Sequence, residues 1–296
     1  MSDQANALRG LMERRHSPPA VEPEPIVASK LHTIAVTSGK GGVGKSNIAL
    51  NLAIALAGMD ASVCLLDANL GLGNIDLLCG LNGYWNLSHV ITGARALNDI
   101  VLKGPGHISV IPGASGLNDM ADCPPSAQQD IFSQLEDLEQ AHDFLIIDTG
   151  TGIHRSVRQF VTLADVVLIV STPEPTSIAD AYATIKSLCG ADVGRMEALV
   201  NQADSPRQAQ TVIERLQQTA RLFLETKIES AGLIPRDHHV GNAVAKRTPL
   251  LIDSPHSPAA RAIRQLARRL KTLAGVQPSR GAFFPRIRQR YAGKAA

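Results

Sequence analysis

From Leu31 onward, short apolar runs rich in β-formers alternate with helix-patterned stretches. The apolar runs are Leu31–Val36, Ser62–Leu66, His107–Ile111, Phe144–Ile147, Val166–Val170, Ala198–Val200 and Lys227–Ile234. Between most of them, apolar residues recur at helical spacing, over 47–58, 126–141, 154–163, 176–189 and 206–225. Buried strands separated by helices predict an α/β fold with a doubly wound, mostly parallel sheet and helices on both faces. Ligands of such a sheet sit beyond the carboxyl ends of its strands. A last helix starts at Ser257 and Pro258, a cap followed by proline in the first turn. Ile263, Leu266, Ala267, Leu270 and Leu273 form its core face, and Arg261, Arg264, Arg268 and Lys271 its basic face.

The rhythm is absent before Leu31. Residues 16–30 hold Pro18, Pro19, Pro23 and Pro25 among small and charged residues, which predicts an extended linker. Ahead of it, Ala5, Leu8, Leu11 and Met12 fall on one helical stripe. Ser2 or Asp3 would cap that helix, while its shortness and Gly10 make it marginal alone. An apolar stripe on a marginal helix beyond a linker predicts a peptide that folds on a partner. The expected organisation is therefore a partner-binding peptide (1–15), a linker (16–30), the α/β domain (31–275) and a basic, aromatic tail (276–296).

Composition narrows the setting. Aromatics are only 3% of the chain, so the core rests on Leu, Ile, Val and Ala. Cys64, Cys79, Cys123 and Cys189 show no C-x-x-C spacing, which argues against a metal cluster or disulfide framework and for reduced thiols. No charged-then-apolar leader and no run of ~20 apolar residues occurs; the expected location is cytoplasmic. Charge is uneven: all 27 acidic residues precede Ser254, together with 19 of the 29 basic ones. The other ten basic residues follow it, from Arg261 to Lys294. A basic end on an acidic body suggests an anionic partner, or else a solvated helix face.

Residues 39–46 read Gly-Lys-Gly-Gly-Val-Gly-Lys-Ser, between a strand pattern and a helix pattern. This is the phosphate-binding loop pattern. Its glycines let backbone N–H groups approach phosphate oxygens where any Cβ would obstruct them. The following helix presents the positive end of its dipole. Lys45 is expected on the β- and γ-phosphates and Ser46 on Mg²⁺. Asp67 and Asp148 each follow a strand and converge on the same end of the sheet, as candidate Mg²⁺ partners with Ser46. Gly152, in Asp148-Thr149-Gly150-Thr151-Gly152, would offer a backbone N–H to the γ-phosphate.

The second lysine of the loop, Lys40, beside Lys45, makes a deviant Walker A box, and here the chain resembles the MinD/ParA family of ATPases. The closest likeness is to flagellar-number regulators of the FlhG/FleN type. It covers about residues 31–275, including Ser38–Ser46, Asp67–Asp76, Asp148–Gly152 and Glu174–Tyr182. The segment Asp3-Gln4-Ala5-Asn6-Ala7-Leu8-Arg9 looks like the element with which FlhG stimulates the signal-recognition-type GTPase FlhF. The resemblance implies a P-loop NTPase that binds ATP and Mg²⁺ through Gly39, Lys40, Gly41, Gly42, Val43, Gly44, Lys45, Ser46 and Asn47. It further implies a face-to-face homodimer in which Lys40 touches the phosphates held by the other subunit. Glu174 would contact the ribose across that interface, Asn201 would read the adenine edge, and Pro235, Arg236 and Asp237 would line the base pocket. Asp3, Gln4, Ala5, Leu8 and Arg9 would engage FlhF. Basal-body proteins or a transcription factor are further expected partners; nucleic acid is not.

One position departs from the family pattern. The switch loop normally reads Asp-x-Asp, and its second Asp orients and helps deprotonate the attacking water. Here Asp67 is kept but the second place is Asn69. An amide can bond water but cannot take its proton, and a positioned general base supplies roughly 10²- to 10⁴-fold. ATP hydrolysis, with Lys40, Lys45, Asn69 and Asp148 at the catalytic positions, is expected to be slow. The leading reading is an ATP-dependent dimerisation switch for flagellar number or placement. A non-hydrolysing ATP-binding scaffold, a MinD-like division-site selector, and a ParA-like partition protein with Arg261–Lys271 on DNA stand behind it. Family members end in an amphipathic segment that docks on membrane or folds back. Here Phe283, Phe284, Ile287 and Tyr291 could insert weakly beside arginines, and Pro285 is expected to keep Phe283 and Phe284 out of any helix.

Overall fold

The computed structural model describes residues 30–69, 75–113, 125–152 and 154–292. The peptide 1–15, nearly all of the linker, and switch-loop residues 70–74 lie outside the described residues. The first half runs β1 (His32–Ser38), α1 (Lys45–Ala57), β2 (Val63–Ala68), α2 (Ile75–Leu78), α3 (Leu87–Ile91), α4 (Leu97–Ile100), β3 (Leu102–Lys103) and β4 (Ser109–Ile111). Then follow α5 (Pro125–Gln140), β5 (Phe144–Thr151), α6 (Arg155–Val161), β6 (Val166–Ser171), α7 (Pro175–Leu188), β7 (Arg195–Ala203), α8 (Pro206–Leu224) and β8 (Glu229–Pro235). The chain closes with α9 (His238–Ala245), α10 (Leu250–Asp253), α11 (Pro258–Val276) and α12 (Phe283–Ala292).

The eight strands form one sheet in the order β3-β4-β2-β5-β1-β6-β7-β8. Every pairing is parallel except the short edge strand β3 against β4. Side chains alternate across the sheet and build two cores. Ile34, Val36, Leu65, Ile146 and Leu168 pack with α1 and α11. Ala35, Leu66, Leu145, Ile147 and Ile169 pack with α5, α6, α7, α8 and α12. Helix α1 is buried on nearly every side, between the sheet and α11. The order reverses around β1, so the loop after β1 sits at a switch point of the sheet, where such folds bind ligands.

The carboxyl-terminal segment corrects the insertion reading for Phe283, Phe284 and Ile287; the Tyr291 side chain lies outside what the structure describes. Phe283 and Phe284 are fully buried and Ile287 nearly so, inside the core under α5. The chain takes the fold-back alternative, and each buried side chain contributes roughly 1.5–3 kcal/mol. Pro285 does not exclude Phe283 and Phe284 from helix α12. It occupies the third position, in the first turn, where an N–H has no partner within the helix. The N–H groups freed there are bound by buried Glu139, whose oxygens accept from Phe283 N at 2.8 Å and Phe284 N at 3.0 Å.

Much of the late positive charge is spent within the chain. Arg269 forks onto Glu197, Arg280 meets Asp192 and Arg288 meets Glu136. Arg261 and Arg264 donate to the carbonyls of His256 and Pro255. The acidic body itself is thus a principal anionic partner of the basic end.

Candidate functional site

Strand β1 ends at Ser38, whose hydroxyl donates to the Lys40 carbonyl at 2.7 Å and tightens the turn into the loop. Gly39 is needed for close approach: a Cβ there would lie 2.2 Å from the Asp180 carbonyl oxygen on α7. Gly44 caps α1 with φ of 92°, a left-handed conformation that side chains resist, and a Cβ would also strike Asn201 Nδ2 at 2.5 Å. The loop therefore delivers Lys45 and Ser46 at the first turn of α1, with the dipole behind them.

Beneath the loop stand two carboxylates. Asp67 and Asp148 face each other in register on β2 and β5, and both are almost fully buried. Asp67 Oδ1 accepts from Asn69 N at 3.1 Å and Oδ2 from Ile75 N at 3.4 Å, which ties both flanks of the switch loop to this acid. Burial pushes the Asp148 carboxyl up to about 7; the Ser46 hydroxyl and Lys45 pull it down, while Asp67 pushes it further up. Lys45 is itself lowered by burial, against the opposing pull of Asp148. Oδ1 of Asp148 is buried without a hydrogen-bond partner. A buried, orphaned carboxylate oxygen opposite a second acid and beside a serine hydroxyl is the chemistry a hydrated divalent cation satisfies. Mg²⁺ fits Ser46, Asp67 and Asp148, and a polyphosphate fits the loop above them.

A cleft of about 510 Å³ opens over these groups, lined by Gly42, Gly44, Lys45, Ser46, Asn47 and Asn69 among others. Asn69 thus reaches the phosphate side, with its Oδ1 turned toward Gly150. Leu77, Val244 and Arg247 line the same cleft. No motif marked these three in the sequence, because they come from elements after the switch loop and after β8.

Other expected residues are placed differently. Lys40 is not in the lining of its own cleft. Its ammonium pairs with Glu174, the N-cap position of α7, and donates to Thr176 Oγ1 at 3.0 Å. The Lys40 hydrogen bond is the main reason the Glu174 carboxyl is held below its usual range. Thr176 was not singled out in the sequence, although it lies within the Glu174–Tyr182 stretch. Gly152 donates its N–H to the Ser38 carbonyl at 3.0 Å. Asn201 also has a job not expected of it. Its Nδ2 donates to the Val43 carbonyl at 2.7 Å and its Oδ1 accepts from Gln202 N at 2.9 Å, so it braces the phosphate loop from below. Pro235 ends β8 beside Ala203, Arg236 pairs with Asp204 at 2.8 Å, and Asp237 caps α9.

This is the architecture of a P-loop NTPase. A ParA family model, described as NUBPL iron-transfer P-loop NTPase, matches residues 30–104. The chain is 40% identical to the antiactivator FleN of Pseudomonas aeruginosa over 242 residues, 81% of this chain and 86% of that protein. It is 31% identical to the flagellum site-determining protein YlxH of Helicobacter pylori, over 97% and 98% of the two chains. Among solved structures, the septum site-determining protein MinD of Pyrococcus horikoshii, complexed with Mg-ADP, superposes with a TM-score of 0.66 at 23% identity, over 83% of this chain and 98% of that one. The chain belongs to the MinD/ParA family of P-loop ATPases, and within it to the FlhG/FleN type. Among the described residues, no helix is long and apolar enough to cross a membrane.

Proposed function

We propose that this protein is an ATP-dependent dimerisation switch that sets the number or placement of flagella. The observation that carries the reading is the position of Lys40. A lysine inside a phosphate loop, yet held by Glu174 outside the loop's own cleft, is available to the phosphates of a second copy. Lys45, buried beside Asp148, serves the phosphates of its own chain. Ser46, Asp67 and Asp148 would hold Mg²⁺, which supplies charge neutralisation at the phosphates when bound. Asn201 would read adenine with the amide hydrogen and lone pair left over from bracing the loop. For Gly152 to face a γ-phosphate, its N–H must leave Ser38.

The flagellar assignment draws its support from the FleN and YlxH relatives. Partnership with an FlhF-type GTPase is proposed through Asp3, Gln4, Ala5, Leu8 and Arg9. Asn69 favours a second version of the same reading, a slowly cycling or non-hydrolysing scaffold, because an amide on the phosphate side can position water but not accept its proton. Calorimetry with Mg·ATP tests the division of labour between the lysines. Lys45→Ala is expected to abolish uptake, and Lys40→Ala to retain it. Equal loss in both variants would refute separate roles.

A further inference from the structure

The turn that leaves β8 carries a side-chain cluster that takes no part in the phosphate chemistry. Asp237, His238 and His239 are consecutive, and one ligand atom from each lies within 4.8 Å of the other two. Asp237 is fixed on both oxygens. Its Oδ1 accepts from His239 N at 3.0 Å and stands 2.8 Å from His239 Nδ1. Its Oδ2 accepts from Ala259 N, in the first turn of α11, at 2.9 Å. The carboxylate is buried at 2% exposure, whereas His239 is 38% exposed and His238 is open to solvent. The two imidazole rings lie 4.0 Å apart between centroids. Asp253, within electrostatic reach of His239, adds negative charge beside them, offset by Lys246 at 2.7 Å.

We propose that Asp237, His238 and His239 form a transition-metal site, separate from the Mg²⁺ position under the phosphate loop. Two imidazoles and one carboxylate suit Zn²⁺, Co²⁺ or Ni²⁺; Mg²⁺ and Ca²⁺ favour all-oxygen shells. Neighbouring ligand atoms on one such ion, at bonds of about 2.1 Å, stand roughly 3.0–3.4 Å apart. Asp237 Oδ1 and His239 Nδ1 are already near that spacing, and exposed His238 has a ligand atom within 4.8 Å of both residues. The rigid member of the set is the carboxylate, locked by two helix starts, so little ordering remains for the metal to impose. Three protein ligands leave positions for water or for an oxygen ligand from a partner. A metal here would clamp the turn that also carries Pro235 and Arg236, joining the starts of α9 and α11.

The test uses the full chain free of any affinity tag and of nucleotide, in a non-chelating buffer at neutral pH. Zn²⁺ is titrated by calorimetry and Co²⁺ by visible absorption. One ion per chain with a dissociation constant below about 100 μM is expected. His238→Ala and His239→Ala should each weaken it at least about tenfold while keeping Mg·ATP uptake, which confirms their fold. No metal uptake below that concentration, or unchanged affinity in both variants, overturns the site whatever the nucleotide result.

Discussion

The ammonium group of Lys40 is bound by the carboxylate of Glu174, 134 positions further along the same chain. Both groups are substantially exposed, Glu174 to 62%, so water and salt weaken the pair. It parks the lysine without trapping it. In the proposed dimer, a second copy carrying a polyphosphate would offer Lys40 a stronger, more highly charged acceptor. Lys40→Ala is expected to remove ATP-dependent pairing, whereas Glu174→Gln should leave it within about tenfold. Light scattering across a protein dilution series reads both.

Magnesium use is predicted to depend on pH through Asp148. Folding raises its carboxyl from the ordinary 3.8 to about 7. Proton binding there favours the folded chain fully below about pH 4, and that contribution is lost as pH rises through 7. Without Mg²⁺ the chain should therefore lose stability across that window. With Mg²⁺ the trend reverses, because the metal needs the ionised acid. Between pH 8 and pH 6, Mg²⁺-dependent nucleotide binding should weaken by about tenfold. Asp148→Asn should flatten the melting-temperature profile over the same range.

Turnover should respond to one atom at position 69. Asn69→Asp places a proton acceptor at the cleft, and steady-state phosphate release is expected to rise by about 10²-fold. Wild-type turnover equal to or above that of the variant would remove the reason for calling this a slow ATPase.

Stability away from the site rests on a buried ion set that joins α11 to β7. Glu197 is fully buried and meets Arg195 Nε at 2.7 Å, Arg269 NH1 at 2.9 Å, and Arg269 NH2. Glu197→Ala takes the carboxylate from Arg269 and leaves Arg195 with Glu229 at 3.9 Å. Loss of one side of a buried pair costs about 3–5 kcal/mol, and because both arginines are about a third exposed the expected loss falls toward the lower end. Chemical denaturation of the nucleotide-free chain measures it.

The sheet and phosphate loop were legible because each has a local signal. Ile34–Val36 and Phe144–Ile147 are continuous apolar runs, as strands buried on both faces must be, and residues 39–46 carry their own spacing. What escaped depends on partners distant in sequence. Glu197 falls just outside the apolar run Ala198–Val200, and its role shows only when Arg269 arrives from α11. Phe283 and Phe284 look like a membrane anchor until Glu139, on α5, is seen to receive their N–H groups. The edge strand β3 and helices α2, α3 and α4 are too short for periodicity to register. Asn201 was placed beside the nucleotide by family likeness, but its contact with Val43 is set by how β7 lies under the loop.

Sedimentation velocity of the purified chain tests the account most directly, first with Mg·ADP and then with Mg·ATP. A single species near the chain mass of 31.4 kDa with ADP, and one of twice that mass with ATP, is the predicted result. A species that stays at one chain mass under saturating Mg·ATP at high protein concentration would contradict it.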